Sequence, residues 1–386
     1  MSISIISQPN VSLSADNALF VVSGSNFASG NYRYVADVSG TTLLSRLKCD
    51  KLPNNQGFFN VARVIETLVP ITKPAVTFFQ DPLIASTYRV GFREEFGTPP
   101  VVASGQTIAS GIVFQGYKRQ WEDFVSSGYY VLASAAKILS KQPTKRKIRV
   151  GENDFASVLF YILTGSTSYK VTITAPTRTF SVSGTIASGA LDGMFNTGLA
   201  GIYALTSGQT SDGQVGSYLL SGITSYTVTI EYVHSGDTQY YSEGRTSENH
   251  TINYEVESCE RFAPQRLFFK NSLGGFDGYT FTMKNKKVGN MTKQTFGKNQ
   301  NIYGTKVAET IYSGEFEETM TLNSDWLLDA NWMSELIYSP QVYLQIGSEL
   351  VEAIVNTSSF TFHTRPQDKL QQLQVDVKIA YKNSVI

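Results

Sequence analysis

Residues 226–232 read YTVTIEY. Tyr226, Val228, Ile230 and Tyr232 alternate with Thr227, Thr229 and Glu231, the two-residue period of a strand with one dry face and one wet face. Residues 169–174, YKVTIT, and residues 373–381, LQVDVKIAY, repeat the pattern. Stretches rich in Gly, Ser and Thr separate such segments, so the fold is predicted to be mainly β.

Working outward, residues 18–22, 32–38 and 87–92 read as further strands, with turns at 24–31 and 97–100. At 60–68 the period changes. Val61, Val64, Ile65 and Leu68 fall at i, i+3, i+4 and i+7, which predicts a short helix ended by Pro70. Residues 131–139 read as a more helical piece, and 181–221 as ordered β loops, because Leu199, Ile202, Tyr203, Leu205, Tyr218 and Leu219 are too apolar for a free linker. Residues 266–270 and 279–284 predict strands around a turn at Gly274 and Gly275. Ser324 can cap a helix over 324–338 whose apolar face is Trp326, Leu327, Trp332, Met333, Leu336 and Ile337. A strand over 341–346 follows. The expected architecture is a tandem of immunoglobulin-like or fibronectin-like β-sandwich domains with a C-terminal β-rich α+β domain. Its units are 1–115 with one connecting helix, a Ser/Thr/Gly-rich unit at 116–258, and 259–386.

Composition agrees with that class. The 386 residues include 41 Ser and 36 Thr, with 12% aromatic and only 17% charged, the signature of strand-rich sequence rather than helical bundles. Thirty-two basic and 32 acidic residues cancel, which removes the long-range attraction a nucleic-acid binder needs and leaves a surface tolerant of close protein neighbours. Cys49 and Cys259 stand far apart and are expected reduced and buried. The first ten residues lack the basic start of a signal peptide, and no apolar run is long enough to cross a membrane. The expected compartment is a cytoplasm.

Chemistry is nearly silent. His234, His250 and His363 have no partner at ligand spacing, so no metal or cofactor is expected, and no nucleophile elbow or phosphate-binding loop occurs. Carboxylate pairs at Glu94–Glu95, Glu152 with Asp154, and Glu315 with Glu317 keep a glycoside hydrolase as a third reading. No catalytic residue is assigned. Opposite charge clusters are more informative. Lys141, Lys145, Arg146, Lys147 and Arg149 form one basic run, and Lys284, Lys286, Lys287, Lys293 and Lys298 another. Against them stand Glu309, Glu315, Glu317 and Glu318. The candidate subunit interface is Lys141, Lys145, Arg146, Lys147 and Arg149 of one copy facing Glu315, Glu317 and Glu318 of another, in a homo-oligomer.

Residues 265–281, QRLFFKNSLGGFDGYTF, together with TLNSDWL at 321–327, SPQVYL at 339–344 and GFFNVARVI at 57–65, resemble structural proteins encoded in the tail-gene regions of tailed bacteriophages of Bacteroidota hosts, crAss-like phages and relatives among them. The resemblance is strongest over 260–386. It implies a non-enzymatic virion component of the tail, collar, ring or baseplate, assembled in the host bacterial cytoplasm beside other tail, collar or portal-proximal proteins. The alternative is a carbohydrate-binding or receptor-binding adhesin module, whose partner would be a host surface glycan.

Overall fold

The computed structural model describes residues 3–9, 11–117, 136–160, 167–186, 192–213, 222–234, 251–257, 262–297, 309–356, 363–364, 370–381 and 383–385. It is mainly β, a tandem of sandwiches closed by a β-rich α+β unit.

In the first unit, a three-stranded sheet of Ser4–Ser7, Leu19–Ser23 and Gln56–Asn60 faces a six-stranded sheet built around Arg33–Ser39 and Ala85–Phe96. Alternation puts Phe20, Val22, Tyr34, Phe59, Val90 and Phe92 between them. The helix Ala62–Ile65 and the 3-10 turn Glu66–Leu68 lie where the period changes, and Val61 and Ile65 seal the end of the core.

The middle unit pairs a five-stranded sheet, including Thr167–Ala175, Ser225–His234 and Thr251–Val256, with a four-stranded one. Val171, Ile173, Val228, Ile230 and Ile252 meet Phe195, Val158 and Ile202 across the gap. Two expectations change here. Residues 136–138, expected helical, form a strand pairing Phe155–Phe160, and the rest of 131–139 up to 135 lies outside the described residues. The division expected at 115/116 is crossed, because Phe79–Gln80 leaves the first unit and joins the middle one as an edge strand against Asp192–Asn196. Of the 181–221 stretch, Arg178–Ile186 and Asp192–Asn196 are strands and Leu199–Tyr203 a helical turn.

The last unit is built on an eight-stranded sheet, with His363–Thr364 and Gln371–Gln372 forming a separate two-stranded one. Gln265–Lys270 runs through it with both faces buried: Leu267 and Phe269 point to a core with Trp332, Leu336 and Val375, and Phe268 points to Phe155 and Met194 of the middle unit. That is why the strand reads as an unbroken apolar run rather than alternating. The helix expected over 324–338 is confined to its second half. Asn331–Ser334 is 3-10 and Glu335–Tyr338 α-helical, while residues 324–330 are not helical. Ser324 does not cap; its Oγ accepts the Leu373 N–H, and the Leu327 and Gln371 backbones exchange hydrogen bonds. Cys49 is a free, half-buried thiol rather than a buried one, and Cys259 lies outside the described residues.

Candidate functional site

The basic run 141–149 becomes the strand Lys145–Ile148, and strand geometry splits it. Lys145 and Lys147 point to water, whereas Arg146 and Ile148 point inward. Arg146 is 5% exposed. Its Nη1 donates to Asp154 Oδ2 at 2.9 Å, and Arg266 Nη2 from the C-terminal unit donates to Asp154 Oδ1 at 2.7 Å. The Tyr254 hydroxyl donates to the same carboxylate at 2.8 Å. Burial alone would raise the Asp154 carboxyl; the two guanidiniums outweigh it and hold the group below its ordinary value. Glu152 extends the cluster, accepting from the Thr280 hydroxyl at 2.9 Å and from Arg266 at 3.4 Å.

A second knot lies beside it. Asp277, fully buried, accepts from the Ser140 hydroxyl, from Asn271 Nδ2 at 3.0 Å and from the Lys141 N–H at 3.4 Å. Burial pushes this carboxyl up to about 6, against the opposing pull of Ser140 and Arg146. Lys141 Nζ donates to Glu335 at 2.6 Å, and Glu335 also takes the Ser272 N–H and hydroxyl. Between these knots sits the turn at Gly274 and Gly275. A Cβ at Gly274 would lie 2.1 Å from the Gln115 carbonyl oxygen, and one at Gly275 would lie 1.9 Å from that of Leu139. The turn therefore needs glycine, since it plugs the place where the three units meet. Lys270 closes the junction by donating to Gln115 Oε1.

The subunit interface expected from the charge runs is thereby redrawn. Arg146 and Arg149 are buried and cannot face another subunit, Lys141 serves Glu335, and Arg149 and Lys147 both address Glu257, at 3.8 and 2.7 Å. Lys145 alone of the five is exposed and outside any ion pair among the described residues. The acidic residues behave alike. Glu318 pairs Lys287 at 2.6 Å and Glu317 pairs Lys378, while Glu315 is exposed. The carboxylate pairs weighed for hydrolysis are similarly engaged, Glu94 with Asn26 and Tyr32, Glu95 with Lys48. Among the described residues no group of three or more His, Cys, Asp or Glu is placed to hold a metal.

Sequence reading also missed what the second basic run does. Lys286–Gly297 and Glu309–Asn323 are neighbouring antiparallel strands, with Asn290 opposite Glu317 and Thr292 opposite Glu315. Every side chain from Lys286 to Phe296 is exposed. The outer edge of Lys286–Gly297 pairs with no other strand among the described residues. Val288, Met291, Phe296, Ile311 and Tyr312 lie open to solvent, Tyr312 at 52%, and the Phe296 and Tyr312 rings meet edge-on at 6.0 Å. Residues 286–296, KKVGNMTKQTF, show no clean two-residue period, so periodicity did not mark this ribbon. A separate cleft of about 760 Å³ opens between the middle and C-terminal units, lined by Lys145, Lys147, Tyr279, Trp326, Leu328 and Trp332 among others.

No protein-family model and no curated protein matches the sequence. Among solved structures, the two fibronectin type-III domain segment from chicken tenascin is similar at 10% identity, covering 62% of this chain and 95% of that one, with a TM-score of 0.19. The Dpr2 Ig1-Ig2 complex with DIP-Theta Ig1-Ig3 is similar at 8% identity, covering 67% and 99%, with a TM-score of 0.15. Superpositions this loose bear on neither the arrangement of the units nor their function.

Proposed function

We propose that this chain is a non-enzymatic structural subunit of a tailed-phage virion, in the tail, the collar or ring, or the baseplate. It works through contacts with copies of itself and with neighbouring tail, collar or portal-proximal proteins, without a cofactor. The observation that carries the reading is the pairing of a rigid body with an unfinished edge. The middle and C-terminal units are clamped by a buried ion pair, and the first unit is tied to them by Lys270 on Gln115 and by apolar packing. From the last unit a twelve-residue strand presents an edge unpaired among the described residues, with exposed Met291 and Phe296. A long open edge of this kind is a hazard for a free monomer and an asset for a subunit that finds its place in an assembly. The resemblance over 260–386 points the same way. Quantitative proteomics of purified virions should find the chain in stoichiometric amounts; its absence from particles overturns the proposal, as does glycan cleavage abolished by one Glu or Asp change.

The adhesin alternative draws on the cleft beside Trp326. A neutral set of charges with tyrosine and tryptophan suits a sugar face, and Leu328 at 86% exposure marks its lip. Loss of glycan-array binding on Trp326→Ala, with the fold intact, is the result that favours it.

A further inference from the structure

The outer strand Lys286–Gly297 carries three lysines and no acid, and among the described residues it pairs on one side only. Its ladder with Glu309–Asn323 is regular from Lys286 to Gln294 and shifts register between Gln294 and Thr295. Along the regular stretch every second residue turns its N–H and C=O out to the open edge. Alternation puts Lys287, Gly289, Met291 and Lys293 on one face, and Lys286, Val288, Asn290 and Thr292 on the other. Phe316 stands opposite Met291, and its ring lies over Gly289, where a Cβ would be 2.8 Å from it. An aromatic floor thus reaches toward the edge beside exposed Met291, with exposed Val288 on the reverse face. Glu318 holds Lys287 at 2.6 Å, whereas Lys286 and Lys293 make no ion pair among the described residues.

We infer that this edge receives an extended acidic segment of a different protein, which adds to the sheet as its next strand. The inference rests on the subunit reading above and adds which surface engages a neighbour and what that neighbour presents. Spacing defines the segment. Laid antiparallel, it sets acids against Lys293 and Lys286 and apolar side chains against Met291, Gly289 and Val288. That is an acid at its first and eighth positions, with apolar residues at the third, fifth and sixth. Edge lysines keep like strands away, so two copies of this edge repel each other. The same lysines fix the register of an acidic strand, while Phe316, Met291 and Val288 supply the apolar contact. The chain does not carry such a segment itself. Acids stand seven positions apart only at Glu248–Glu255 and Glu318–Asp325. The first has His250 and Asn253 where apolar residues belong, and the second has Asn323 there, with Met320 and Leu322 already buried in its own sheet.

Fluorescence anisotropy on the full chain tests this with a labelled, end-capped peptide of sequence ETVTIVTE. The wild type should bind it, and should bind KTVTIVTK about tenfold more weakly. Lys286→Glu with Lys293→Glu should invert that preference and keep the wild-type circular dichroism, since both side chains are exposed. Should the double reversal disturb the fold, Lys293→Gln replaces it and should narrow the preference. No binding, or equal binding of the two peptides, overturns the inference. In purified virions, a photo-crosslinking residue at Gln294 should join to a segment of another virion protein that carries the acid spacing. A crosslink to a second copy of this chain overturns the inference. So does the lack of any crosslink in particles that hold the chain in stoichiometric amounts, and in both cases the subunit reading stands. Absence of the chain from particles fells the subunit reading instead, and the peptides then decide the edge by themselves.

Discussion

Asp154 has no water to fall back on. With Arg146 or Arg266 removed, a buried carboxylate and the remaining guanidinium would be left mismatched, and breaking such a pair costs about 3–5 kcal/mol. Arg146→Met should therefore lower unfolding stability in urea by about that much, whereas Lys145→Met, one residue away on the wet face, should stay within about 0.5 kcal/mol. Asp277 makes an opposite demand. Its carboxyl is raised to about 6 in the folded chain, so between the unfolded value near 4 and pH 6 the native state holds the proton more tightly than the unfolded state does. Its contribution is complete below pH 4 and is lost as the pH rises through 6. Urea midpoints measured from pH 4 to pH 7 should fall over that window in the wild type, and Asp277→Asn should remove that part of the slope. None of this was readable beforehand. The run KRKIR shows charge, but the acid that claims Arg146 is eight positions away and the arginine that shares it is 120 positions away in the sequence.

Strands were the legible elements, because each carries its own proof in a two-residue period. The helix over 324–338 was half legible. Its apolar spacing is real, and Trp332 and Leu336 do pack against Phe269 and Val375, the tryptophan stacked on Phe269 at 5.9 Å. What spacing does not reveal is competition: Ser324 and Leu327 are engaged by the chain at 371–373, which holds residues 324–330 out of the helix. Trp332→Ala should cost about 3–5 kcal/mol, read as a lower thermal midpoint, since a fully packed indole is lost from the core. The turn at Gly274 and Gly275 gives a sharper element-level expectation. Gly275→Ala places a methyl group against the Leu139 carbonyl. It should destabilise by about 1–3 kcal/mol, and Gly208→Ala, where nothing lies within 4 Å, should not.

At the scale of the molecule, two apolar seams accompany the ion pairs: Phe155 and Met194 against Phe268, and Phe114 and Ile84 against Leu139. Three units joined in this way should melt as one transition in calorimetry, and Arg266→Met should split that transition, because it unlatches the middle and C-terminal units while leaving each sandwich core in place. The strand Phe79–Gln80 adds a constraint of another kind. Phe79 stacks on Tyr169 at 5.0 Å and Phe78 is buried among middle-unit residues, so the first sandwich carries a loop whose berth does not exist when that sandwich is complete. During synthesis, at about 5–20 residues per second, the loop must wait on the order of ten seconds for Asp192–Asn196 to leave the ribosome. For that interval two adjacent phenylalanines are in the open. Slow stretches of message between these points would lengthen the exposure, and a chain cut after residue 115 would never end it.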